Sequence, residues 1–172
     1  MKRAVYPLQS SDIIQFEMAK TPKKASLILE EWQKEGKVEP AITSIYWDYP
    51  FILLYTLTIA LGSLFLSLKS GNVLLKQTGR FFGPLIFLAG VFDIVENNAM
   101  LTSLQQGITL ERVDLTYKMA ISKFSVVLMS IFFMAICLVS WVAALLHRKQ
   151  QVSNVKREMS ILRNLQQRNP GS

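Results

Sequence analysis

With 172 residues, 51% of them apolar, the chain has material for one small helical membrane domain with short flanks and none for a separate globular domain of ordinary size. Its net charge of +7 raises nucleic acid as a partner, but the positions of the basic residues assign that charge to a membrane face and exclude nucleic acid from the reading. The one cysteine, Cys137, permits no intrachain disulfide and falls in an apolar run, where it reads as a small packing residue.

No apolar run follows Lys2-Arg3, so a signal peptide is not expected. Ser10-Ser11-Asp12 can cap a short helix bearing Ile13, Ile14 and Phe16. Thr21-Pro22 then supplies an N-cap followed by proline at the first helical position, and Gly36 marks an end. Between them Ala25, Ile28, Leu29 and Trp32 form the apolar stripe of an amphipathic helix, with Lys23, Lys24, Glu30, Glu31, Lys34 and Glu35 on its wet face. Residues 1–47 therefore read as an amphipathic helical arm at the membrane interface, with Trp32, Tyr46, Trp47 and Tyr49 as boundary anchors. Such an arm either forms a lid or packs on the bundle and leaves no ligand space.

Residues 48–147 form the membrane domain, an all-α integral membrane helical bundle of three transmembrane helices over about 49–68, 81–105 and 120–146. The first and third of these runs are free of charge over nearly their whole length, and about 20 residues suffice to cross the hydrocarbon core. The loop after the first holds Lys69, Lys76 and Arg80 without an acid, and the basic tail 148–172 sets Arg148, Lys149, Lys156, Arg157, Arg163 and Arg168 against Glu158 alone. With three spans these regions share a side, while the arm's basic and acidic residues balance. The positive-inside rule gives the N-terminus out and the C-terminus in, with the basic face meeting anionic membrane lipids.

The second span carries Asp93, Glu96, Asn97 and Asn98 within otherwise apolar sequence. Charges there cost roughly 2.5 to 3.5 kcal/mol each on insertion scales, so they mark a site to be explained. Asp93, Glu96 and Asn97 stand at i, i+3 and i+4, on one helix face, and Asn98 is turned toward another neighbour. Asp48 opens the first span on the same side, and Lys118 and Lys123 begin the third, so one outward-opening polar pocket is the economical arrangement. Three readings stay open: a hydrogen-bonded packing network, a binding or catalytic pocket, or a cation or proton path.

Phe16-Glu17-x-Ala19-x-Thr21 with Ala25, Ile28-Leu29 and Trp32, then Asp48-Tyr49 with Phe51 and Tyr55, then Asp93-x-x-Glu96-Asn97 and a basic start to the last span, resemble an uncharacterised family of small bacterial integral membrane proteins. The resemblance runs from about Ser10 to Leu146. It implies a bacterial inner (cytoplasmic) membrane location and weights Glu17, Asp48, Asp93, Glu96 and Asn97 as positions of interest. It implies no reaction and no cofactor.

The candidate ligand-binding set is therefore Glu17, Asp48, Asp93, Glu96, Asn97 and Lys123, for a lipid-like or other hydrophobic small molecule. Paired carboxyls among Asp93, Glu96 and Asp48 also suit acid/base catalysis on a lipid or isoprenoid. No metal is expected, because the only histidine, His147, lies at the far end of the third span and Lys123 opposes a hard cation. A transport path would need ionisable groups nearer the inner face, where the spans hold mainly apolar residues, Ser and Thr.

Gly79-x-x-x-Gly83 has a close-packing spacing that helix entry explains better than dimerisation, leaving a homo-oligomer open. In the tail, Val152, Val155, Met159 and Leu162 recur at spacings that fit an interfacial helix or a short coiled coil. Asn169-Pro170-Gly171-Ser172 has the composition of a disordered end.

Overall fold

A computed structural model describes residues 8–168; the side chains of 162 and 165–168, and the expectations for Lys2-Arg3 and 169–172, lie outside the described residues. Within them the chain is an all-α helical bundle of five helices without strands: α1 (Ser10–Glu17), α2 (Pro22–Glu35), α3 (Val38–Lys69), α4 (Val73–Gln106) and α5 (Leu110–Arg168). The last three are long and apolar enough to cross a membrane.

The arm forms where its stop and start residues stand. At α1 the cap lies one residue earlier than the serine pair suggests: the Asp12 carboxylate accepts the backbone N–H of Gln9 at 3.0 Å. Thr21 caps α2 by accepting the Lys24 N–H at 3.3 Å, and Gly36 ends it at φ 74°, where a Cβ would be strained. Lys37 then ties the arm's two ends together, 3.2 Å from Asp12 and 2.8 Å from Glu35.

Trp32 is not a membrane anchor. It is buried and stacks on Phe16, ring centroids 5.3 Å apart, within a core that includes Ala41, Met100 and Val113. The apolar stripe of α2 is turned toward protein, whereas Tyr46 and Trp47 remain exposed. No break separates arm from bundle at 47/48, because α3 starts at Val38 and runs on through Pro50.

Tight caps join the long helices. The Asn72 side chain accepts the N–H groups of Leu74 and Leu75 at the start of α4, after Gly71 at φ 75°. Arg112 reaches back to the Gly107 carbonyl at 2.8 Å, closing the turn into α5. This last helix continues unbroken into the basic tail, and its 59 residues give a rod about 88 Å long. Val152, Val155 and Met159 are exposed along it.

Helix α4 is the middle element, packed along both α3 and α5. Its lower half carries Gly79, Gly83 and Gly90 toward a stripe of small side chains on α3, namely Thr56, Ala60, Ser63 and Ser67. A Cβ on Gly79 would overlap the Ser67 side chain, one on Gly83 would lie 2.8 Å from Leu64 Cγ, and one on Gly90 3.0 Å from Thr56 Cγ2. The Gly79-x-x-x-Gly83 spacing thus serves close approach of two helices of one chain rather than helix entry. On the other side Phe82 stacks on Phe133 of α5 at 4.6 Å, and buried Cys137 fills space as the sequence suggests.

Two measurements follow from this packing. Gly79→Leu must push α3 from α4, and a loss of about 1–3 kcal/mol in unfolding stability in mild detergent is expected, the usual cost of overpacking; an unchanged transition would show that the helices do not approach here. For the arm, the backbone N–H of Gln9, and then Lys37, hold the Asp12 carboxyl below its ordinary value of 3.8. A depressed acid stabilises above its unfolded pKa and loses that contribution as pH falls through the lower folded value. Amide exchange in α1, corrected for intrinsic pH effects, should accelerate on acidification below 3.8, and Asp12→Asn should lose that acid dependence.

Candidate functional site

The candidate residues converge near the ends of the three long helices that lie away from the α3–α4 turn, under α1. Helical periodicity puts Asp93, Glu96 and Asn97 on one face of α4, and all three are buried. Helix α5 supplies Lys123, also buried, whose Nζ lies 2.8 Å from Asp93 Oδ1, 3.0 Å from Glu96 Oε2 and 3.8 Å from Glu17 Oε1. Only the Asp93 contact has hydrogen-bond geometry. One ammonium therefore gathers carboxyls from α1 and α4.

From α3 come two further groups. Asn97 Nδ2 donates to Asp48 Oδ2 at 2.7 Å, and the Tyr55 hydroxyl donates to Asp93 Oδ2 at 3.0 Å. Asp93 is thus held on both oxygens, by Lys123 and by Tyr55. Tyr55 is absent from the charge-based reasoning; the signal that finds it is its position seven residues after Asp48, two turns along the same helix face. Asn98 turns away, as its rotation requires, and accepts from the Tyr49 hydroxyl at 2.9 Å.

Lys118 does not join. It is exposed and bonds Asp114 at 2.7 Å, one turn earlier on its own helix, a pair satisfied without the bundle. His147 is likewise remote, 3.1 Å from Gln151 on the exposed part of α5.

Between α1, α3, α4 and α5 lies a cavity of about 470 Å³. Its charged and amide groups are Glu17, Asp48, Asp93, Asn97 and Lys123, with Ser10, Ser44 and Tyr55 also in the lining, and its apolar wall includes Ile13, Ile14, Phe51, Ile59, Phe124 and Val127. Ile14, Phe51 and Phe124 are substantially exposed, so the cavity opens sideways. Glu96 stands behind this lining, fully buried against Lys123.

Three carboxyl oxygens of the cluster are buried without a hydrogen-bond partner: Glu17 Oε2, Glu96 Oε1 and Glu96 Oε2, the last with only its ion-pair contact to Lys123. Burial, opposed by the charge of Lys123, raises the Glu17 pKa above its ordinary value. Among the described residues no group of three or more His, Cys, Asp or Glu side chains is disposed to hold one metal ion.

Fold and site together define an α-helical membrane protein with a charged cluster and a small-molecule-sized cavity between its spans. Compared with protein-family models, with curated proteins and with solved structures, the chain shows no match to any.

If Lys123 is the common counterion, Lys123→Met leaves buried carboxyls unpaired. Chemical unfolding in detergent should report a loss of about 3–5 kcal/mol, partly restored by adding Glu96→Gln. A fully stable Lys123→Met protein would mean that the carboxyls carry no charge needing compensation.

Proposed function

We propose that the chain is a bacterial inner-membrane protein, N-terminus out and C-terminus in, whose pocket binds a lipid-like or other hydrophobic small molecule. The observation that carries this reading is the shape and lining of the cavity: about 470 Å³, mostly apolar, with polar groups converging on one side. Small-molecule sites have this form, in which apolar walls supply affinity and a few placed polar groups set orientation. An opening between Phe51 of α3 and Phe124 of α5 suits a ligand arriving from the lipid phase with its tail trailing toward the bilayer.

Orientation rests on charge. The α3–α4 turn and the extension of α5 carry the unbalanced basic residues, which supports assigning them to the cytoplasmic side beside anionic lipid. The pocket then faces the outer leaflet.

Ion or proton movement is less well served by the same helices. Toward the basic side the buried hydroxyls of Thr56 and Ser130 donate to carbonyls of their own helices, at 2.7 and 2.9 Å, and Ser67 does the same at 2.8 Å. Such hydroxyls are committed locally and form no relay with Asp93.

Native mass spectrometry with lipidomics of the released material tests the proposal on wild-type protein, on Asp93→Asn/Glu96→Gln and on Val127→Trp, which fills the cavity without changing its charge. Wild type should retain a defined species that Val127→Trp loses while remaining folded. Retention of the same species by both variants, or none in wild type, sinks the reading and leaves the cluster as a packing network.

A further inference from the structure

The cavity's charge does not balance. Glu17, Asp48 and Asp93 line it and Glu96 stands behind, four carboxyls against the single ammonium of Lys123. Lys123 lies close to Asp93 and Glu96 and only 3.8 Å from Glu17. Asp48 bonds only the neutral amide of Asn97. Glu17 is 94% buried by its 6% exposure, yet its Oε2 has no hydrogen-bond partner. One ammonium cannot neutralise four carboxylates in a buried cluster, so those in excess must acquire either a proton or a further cation.

We propose that the pocket is selective for amphiphiles with a positively charged amine head, the ammonium docking against Glu17 and Asp48 and the hydrocarbon filling the apolar part of the cavity. The inference rests on the small-molecule reading above and names the ligand's chemical class. A bare inorganic ion satisfies only half the site, because it leaves the walls formed by Ile14, Phe51, Ile59 and Val127 without an apolar partner. An anionic head meets three carboxyls at the lining, and a neutral one leaves their excess negative charge uncompensated. An N–H donor with positive charge answers both, since charge-assisted hydrogen bonds to carboxylates are the strong ones.

The position of Glu17 adds a feature. It sits on α1, outside the three spans, so the arm that covers the bundle also carries the ligand-facing carboxyl. The charged groups around it are Lys123 of α5, Asp93 and Glu96 of α4 and Asp48 of α3. Burial, opposed by Lys123, raises the pKa of Glu17 above its ordinary value, so a proton and an arriving ammonium compete for Glu17 over the range in which it titrates. Amine binding should therefore strengthen as pH rises through the titration of Glu17.

The test uses the full chain in a non-ionic detergent and three probes of one chain length: dodecylamine, dodecanol and dodecanoate. Saturable binding is read by thermal shift and by displacement in native mass spectrometry. Dodecylamine should bind at least about tenfold more tightly than the other two, and Glu17→Gln should reduce that amine-over-alcohol preference at least about tenfold. Asp48→Asn, and the pH dependence of the wild type, give the same answer should Glu17→Gln fail to fold. Equal binding of amine and alcohol overturns the cation inference and spares the hydrophobic pocket. Preference for dodecanoate assigns the head to Lys123 and overturns the cation inference also. Saturable binding of none of the three overturns both.

Discussion

One buried ammonium holds the upper half of this protein together. Lys123 belongs to α5, yet the carboxyls nearest it come from α4 and from the arm, so three separate helices meet at a single charge. In a low-dielectric setting no member of such a group is dispensable, because removing any one leaves others desolvated and unpaired. That requirement fixes the rotation of α4, which must present the Asp93, Glu96 and Asn97 face inward. It also fixes where α1 docks, since Glu17 reaches the cluster only when Phe16 beside it enters the core against Trp32. Charge and apolar burial therefore specify the same placement of the arm.

The long helices and the polar face of α4 were legible because both are local patterns: runs of apolar residues and an i, i+3, i+4 spacing. The ends of α2 were legible for the same reason, Thr21-Pro22 and Gly36 being signals read within a few residues. What sequence did not reveal depended on which distant surface a side chain would meet. Trp32 has the composition of an interfacial anchor, and only the placement of Phe16 makes it a core residue. Lys118 and Lys123 look equivalent as basic residues opening a span. They are separated by five positions, and the helical rotation between them sends one to Asp114 and the other to the cluster. Tyr55 carries no charge, so it stood in the family resemblance without a place in the candidate site, although its hydroxyl completes Asp93.

The two halves of the bundle solve the packing problem differently. Toward the basic side, glycines on α4 meet serine and threonine on α3, and backbones approach closely without space between them. Small residues do this in membranes because dispersion contact between helices, rather than exclusion of water, drives association there. Beyond Gly90 the buried positions of α4 include Asp93, Glu96 and Asn97, and beside the apolar core around Met100 its contacts with α3 are made through side-chain hydrogen bonds to Tyr55 and Asp48. Longer groups hold the helices through their tips and leave room beside them.

The cavity is where that change of packing mode occurs. Ile59 and Val127 line it on the side of the glycine-packed half, and Ile13, Ile14 and Glu17 of the arm line it on the other. A rigid lower half fixes one end of the space, while its other end is formed by an eight-residue helix attached through a few core side chains, a half-buried ion pair and the long Glu17–Lys123 contact. Local stability follows the density of buried contacts, so α1 is the element whose opening costs least. Glu17, the carboxyl farthest from Lys123 of the three that surround it, stands on that element. A ligand group that satisfied Glu17 would strengthen the docking of α1 onto the bundle, and occupancy of the pocket would thereby be coupled to closure of the arm over it.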